Sequence, residues 1–186
     1  MNRLVTRDEI LDTPIYSAQR NDRRAVIFPA KELRRIHVGS YLTFLFENHD
    51  TILYQIQEML RIEGTTVEAE IQHELKTYNE LLGQPGDLGC TLLIEIDDPL
   101  KRDLVLRKWL HLPKHIYALT ADGEKVRAVY DERQVGTDRV SAVQYMTFPV
   151  RGRTPVALGL DAPDLDFEQP LSDASRAAFT EDLARS

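Results

Sequence analysis

A single cysteine, Cys90, stands among 186 residues, so no internal disulfide can form. It opens the apolar run Cys90-Thr-Leu-Leu-Ile-Glu-Ile96, where a buried, inert thiol is the expected state. A chain of this length can bury a core without cross-links. The scarcity of cysteine points to a reducing cytoplasm as the expected compartment. Long hydrophobic runs are missing as well: no stretch approaches the ~20 apolar residues of a membrane helix. Residues Met1 to Glu9 turn acidic at once and have no apolar centre, so no signal peptide is expected. The Gly-x-x-x-x-Gly-Lys phosphate loop, the Gly-x-Gly-x-x-Gly dinucleotide fingerprint and the Gly-x-Ser-x-Gly elbow are all absent. Lacking a second cysteine, the chain has no thiolate set for zinc or an iron–sulfur cluster and no dithiol. Positive charge is in deficit, with 23 Lys and Arg against 30 Asp and Glu. The resulting net charge of −7 argues against general binding to nucleic acid or anionic membranes.

What is present reads as a soluble globular chain, at 42% hydrophobic and 28% charged residues. Charge is unevenly spread. Arg20, Arg23, Arg24, Lys31, Arg34 and Arg35 make a basic stretch near one end. The segment from Asp161 onward is acidic, and the two could attract each other or stay solvated.

The pass along the chain begins with Val5-Thr-Arg-Asp-Glu-Ile10, a capping box with Thr6 as cap and Glu9 reaching back. Thr13-Pro14 predicts a helix to about Ile27, interrupted near Pro29. Ile36, Val38 and Tyr41–Phe46 read as strand. Asn48 or Asp50 caps a helix over Thr51–Glu63. Gly64-Thr-Thr66 breaks it, and Thr65 or Thr66 caps a second helix over Val67–Leu82, giving an αα-hairpin. Cys90–Ile96 is a strand, and Asp98-Pro99 opens a further helix. His115–Leu119, Lys125–Tyr130 and Arg139–Val150 are strand candidates, the first two joined by the turn Ala121-Asp-Gly123. This order predicts the α+β class. It is read as a single domain over residues 1–150, a largely antiparallel sheet covered by the αα-hairpin and further helices. Residues 151–186 read as an acidic Pro/Asp-rich C-terminal extension, ending in a short docked helix or a frayed tail.

The hairpin is where the pattern breaks. At 100° per residue, Ile52, Leu53, Ile56, Met59, Leu60 and Ile62 form an apolar arc. Tyr54, Gln57, Glu58 and Arg61 form the polar face, with Glu58 and Arg61 spaced to pair. Gln55, however, falls inside the arc. In the second helix Glu74 lies within the stripe of Val67, Ile71, Leu75, Tyr78, Leu81 and Leu82. Glu70 lies beside that stripe and His73 on its polar flank. A carboxylate withdrawn from water must be paired, protonated or metal-bound. Glu70-Ile-Gln-His73 has the Glu-x-x-His spacing of di-iron bundles, but the chain has one such pair and His73 faces away. Glu47, Glu70 and Glu74, helped by His73 or His49, could instead hold one divalent ion. Those oxygen-rich ligands favour Fe, Mn or Mg over Zn. In the alternative, Glu74 meets an arginine and Gln55 bonds to backbone. Glu95 and Gln144 also interrupt strand faces, through a polar pocket or through cross-strand hydrogen bonds. Arg34-Arg35 with His37 and Gly39 is a generic basic turn for an anion.

Several stretches together carry a resemblance. Leu45-Phe-Glu-Asn48, Gln55-Ile-Gln-Glu-Met-Leu-Arg61, Tyr78-Asn-Glu-Leu81, Leu93-Ile-Glu-Ile96, Ser141-Ala-Val-Gln-Tyr145 and Phe148-Pro149 resemble the bacterial domain-of-unknown-function family 3501. The resemblance runs from about Leu4 to Val150 and leaves the tail after Arg151 outside. It implies no settled activity and carries over no catalytic residue. Members are often encoded near rubrerythrin-like and iron–sulfur proteins, which implies an accessory role in oxidative-stress or iron-redox metabolism. The leading expectation is a cytoplasmic binding module. It would recognise a protein or small molecule through Tyr54, Gln55, Gln57, Glu58 and Arg61. The rivals are a carboxylate-rich metal-binding enzyme or carrier, and a homodimer subunit pairing through the hairpin or a sheet edge.

Overall fold

Asp12-Thr13-Pro14 starts a helix as its spacing predicts, and the computed structural model, which describes residues 3–185, carries α1 over Thr13–Glu32. The predicted interruption at Pro29 does not occur. Pro29 sits in the last turn, and Ala25, whose carbonyl loses its donor there, is exposed to water. β1 (Arg35–Val38) and β2 (Leu42–Phe46) follow as an antiparallel pair. Asn48 caps α2 (His49–Glu63): its side chain accepts from the Thr51 N–H at 3.0 Å, and the Thr51 hydroxyl accepts from the Asn48 N–H at 2.9 Å. Gly64 ends α2 in the left-handed region at φ 66°, where a side chain would be strained. The sequence puts the next cap at Thr65 or Thr66, but Val67 occupies that position before α3 (Glu68–Asn79). A 3-10 turn, Glu80–Leu82, leads to β3 (Leu88–Ile94), and Asp98 caps α4 (Pro99–Lys108).

The remaining strands are β4 (Ile116–Thr120), β5 (Lys125–Arg127), β6 (Val129–Tyr130), β7 (Val143–Phe148), β8 (Pro155–Ala162) and β9 (Leu165–Pro170). α5 (Asp173–Ala184) closes the chain. The fold is α+β, with two antiparallel sheets where the sequence suggests one. Their orders are β1-β2-β3-β7-β6 and β5-β4-β8-β9. Phe44, Phe46, Leu92 and Phe148 of the first sheet share a core with Ile116, Ala118, Leu158 and Leu160 of the second, joined by Leu106 and Phe179. A separate cluster of Val5, Ile10, Ile52, Ile56, Leu60, Ile71, Leu75 and Leu82 holds the helical hairpin together.

The segment from Arg151 to Arg185, expected to be an extension, carries β8, β9 and α5. β8 pairs with both β4 and β9, and α5 buries Phe179 in the main core. Burial of β8 and Phe179 makes this segment part of the domain. The basic and acidic ends do meet: Arg34 and Asp182, each side chain 6% exposed, form a two-bond pair at 2.7 and 2.8 Å. Arg34 is therefore committed, and the basic turn it was expected to form with His37 is not a free anion site. No described helix is long and apolar enough to cross a membrane.

Candidate functional site

The polar face of α2 meets α1. Gln57, only 2% exposed, uses its amide on the backbone of Leu11, accepting at 2.8 Å and donating at 3.1 Å. Glu58, 9% exposed, accepts from the Tyr16 hydroxyl at 2.7 Å and from Arg20 through Nε at 2.7 Å and Nη2 at 2.8 Å. Arg61 adds a longer bond at 3.3 Å. The Arg20 hydrogen bonds are the main reason the Glu58 carboxyl is held down at about 2, against the opposing cost of its burial. Burial, then Glu58 itself, pushes the Tyr16 hydroxyl upward. The face expected to be open is thus largely an internal seam, and Gln57 and Glu58 are already satisfied. Tyr54 stays half-buried, its ring edge-on to Phe28 at 6.1 Å with Lys31 over it at 5.8 Å. Gln55 reaches Tyr78 across the hairpin.

The five carboxylate and imidazole candidates for a metal divide between the start of α2 and α3. Glu70 and His73 are exposed on α3, and Glu70 accepts from the Thr65 hydroxyl. Glu74 is half-buried beside Tyr78. Glu47 precedes α2, accepts from the Thr51 hydroxyl and has its carboxyl raised by burial. His49 is buried between Glu9, at 2.9 Å from Nε2, and Asp50, at 3.0 Å from Nδ1. Among the described residues no group of three His, Cys, Asp or Glu is placed to hold one ion. The cause is topological: Glu47 lies at the start of the hairpin's first helix, while Glu70 and His73 look outward from its second.

Two other flagged residues are local hydrogen-bonding groups. Glu95 accepts from the Thr43 hydroxyl, which also bonds His37 at 2.9 Å. Gln144 is fully buried and donates to the Ser141 carbonyl at 3.0 Å, leaving its Oε1 without a partner. Cys90 is buried, and burial drives its thiol well above the ordinary range, which fits an inert side chain.

Beside the α1–α2 seam lies a groove of about 470 Å³. Tyr16, Val26 and Ile27 of α1 face Leu53, Tyr54 and Gln57 of α2 across it, so Tyr54 and Gln57 do line a cavity. Asp50, Asp22 and Arg23 stand on its rim. Asp50 is paired with Arg185 at 3.1 Å. Arg23 is held only by Gln19, at 3.2 and 3.0 Å, and neither Asp22 nor Arg23 has an ion pair among the described residues. The α1 half of this site escaped the sequence reading. Its signal is Tyr16, Arg20 and Ile27 at helical spacing, the last two inside the basic stretch.

A protein family of unknown function, DUF3501, matches residues 4–183, nearly the whole chain. The chain belongs to the DUF3501 family. The match includes β8, β9 and most of α5, so membership extends well beyond Val150, where the resemblance stopped. No curated relative matches. The DUF3501 chain is similar to a crystal structure of a novel protein of unknown function from Burkholderia pseudomallei K96243. That likeness has a TM-score of 0.84 at 29% identity, covering 96% of this chain and 98% of the other.

Proposed function

We propose that this DUF3501 protein is a non-enzymatic cytoplasmic binding module that assembles with a second copy of itself through the outer face of α1, beside the α1–α2 groove. The observation that carries the reading is the outer stripe of α1. Ile15, Gln19, Asp22, Val26 and Leu33 recur at steps of four, three, four and seven, which is one helix face. On it Ile15 is 48% and Val26 75% exposed, and Leu33 is exposed too. Burying such apolar surface returns roughly 25 cal/mol per Å². An antiparallel twofold crossing centred between Gln19 and Asp22 sets Ile15 of one copy against Val26 of the other. The same crossing brings Asp22 within a turn of the opposite Arg23, and the symmetry makes each contact twice. A stripe whose apolar ends and opposite charges can each meet their own counterparts favours a second copy over an unrelated partner. The cellular setting we propose is the accessory role in oxidative-stress or iron-redox metabolism that the family resemblance implies. Peroxide sensitivity of a gene deletion tests that part.

Sedimentation over a wide concentration range tests the assembly. A concentration-dependent dimer is expected, and Val26→Glu, at a site already in water, should give a folded monomer. Asp22→Arg alone should weaken the dimer, and adding Arg23→Asp should restore it. A wild-type chain that stays monomeric throughout would sink the reading. No chemistry is proposed at Glu47, Glu70, His73 and Glu74.

A further inference from the structure

A second cavity, about 580 Å³, opens between the end of α3 and the outer edge of the first sheet. Three of the chain's seven tyrosines, Tyr78, Tyr130 and Tyr145, line it. Among the described residues none of these three rings stacks on another aromatic ring, so they stand apart around the space. Glu80 and Asp131 also line the cavity, and no lysine or arginine does. Asp131 is neutralised by Arg133 at the rim, which leaves Glu80 as the carboxylate without an ion pair among the described residues. Further acidic groups act on the rings. After burial, Glu74 and Glu63 raise the Tyr78 hydroxyl, and Glu132 raises that of Tyr130.

The frame is already set. The Gln134 side chain takes the place of a neighbouring strand, accepting from the Tyr145 N–H at 2.7 Å and donating to its carbonyl at 3.2 Å. Gln55 of α2 sits beside Tyr78. Backbone held in place before a ligand arrives costs little to order on binding it. An aromatic face carries negative charge density, so several rings around one space, with carboxylates behind them and no cation in the wall, select a bulky positive group. We propose that this cleft binds an organic cation, a quaternary ammonium group seated among Tyr78, Tyr130 and Tyr145 with its charge toward Glu80. The group could belong to a free small molecule or to a trimethylated lysine side chain.

The test titrates the full chain with choline, with a short trimethyl-lysine peptide and with 3,3-dimethylbutan-1-ol, the uncharged carbon analogue of choline. Calorimetry gives affinity, and amide shifts locate the site. Choline or the peptide should bind and shift the amides of Tyr78, Tyr130 and Tyr145. The neutral analogue should bind at least about tenfold more weakly. Tyr145 is 47% exposed, so its replacement leaves the core intact. Tyr145→Leu should weaken binding by about tenfold, while Tyr145→Phe, which keeps the ring, should not. Tighter binding of the peptide assigns the site to a modified side chain, and tighter binding of choline to a free ligand. Equal affinity for the neutral analogue, or no binding of either cation at millimolar concentration, overturns the proposal. Val26→Glu should leave the titration unchanged, which separates this cleft from the α1 surface.

Discussion

Glu58 receives hydrogen bonds from three side chains, on α1 and on its own helix, and this decides how α1 is held. Removing its charge strands Arg20 and Tyr16. Glu58→Gln should therefore lose roughly 2–3 kcal/mol at neutral pH, an order-of-magnitude figure from the depressed carboxyl and discounted for partial exposure. The sign follows from the direction of the shift. A carboxyl depressed in the folded state adds stability above its unfolded value near ~4.3 and loses it as pH falls toward about 2. Urea unfolding of wild type and variant at stepped pH should thus show a gap at neutral pH that closes in acid. A gap that persists unchanged below the folded value would mean that packing, not charge, holds the seam. The Arg34–Asp182 pair is the more buried contact. Asp182 also accepts from the Asn48 amide at 2.9 Å, and Arg34 donates to the Ala30 carbonyl at 2.7 Å. Asp182→Asn leaves a guanidinium buried without its counter-charge, and about 3–5 kcal/mol should be lost in the same unfolding measurement.

At the scale of elements, the helical hairpin leans on the first sheet through its 3-10 turn. Gly89 of β3 allows that approach, because a Cβ built there would run into the carbonyl oxygen of Leu81. Gly89→Ala should lower the melting temperature by displacing the turn, whereas Gly64→Asn, whose side chain meets open space and tolerates the left-handed region, should change it little. Local signals explain why the hairpin, the Asn48 and Asp98 caps and most strands were legible: each rests on residues within a few positions of one another. β8 and β9 were not legible. β9 is an exposed edge carrying Asp166, Glu168 and Gln169, so it lacks the alternation that marks a strand. The apolar run of β8 was then absorbed into an acidic tail. The Tyr54–Arg61 face was ambiguous for another reason. A helical wheel gives a solvated polar face and a polar seam against another helix the same appearance. Only the position of α1, which propensity does not set, separates them.

For the whole molecule, the two proposed binding surfaces differ in what should disturb them. The α1 stripe is mainly apolar, so its self-association should persist in high salt, weakening by no more than about tenfold as the Asp22–Arg23 contacts are screened. Sedimentation in dilute and molar salt measures this. The Tyr78–Tyr145 cleft depends on a field of carboxylates in a chain of net charge −7, and its affinity for choline should fall more steeply with salt.

The buried pair of Arg34 and Asp182 joins residues 148 positions apart, and Asp182 lies near the last described residue. During synthesis the first sheet, the hairpin and Arg34 leave the ribosome long before their partner does. Until α5 emerges, Arg34 has no counter-charge and the slot for Phe179 stays empty. The domain therefore locks only once α5 has been made and can dock, well after the elements it ties together.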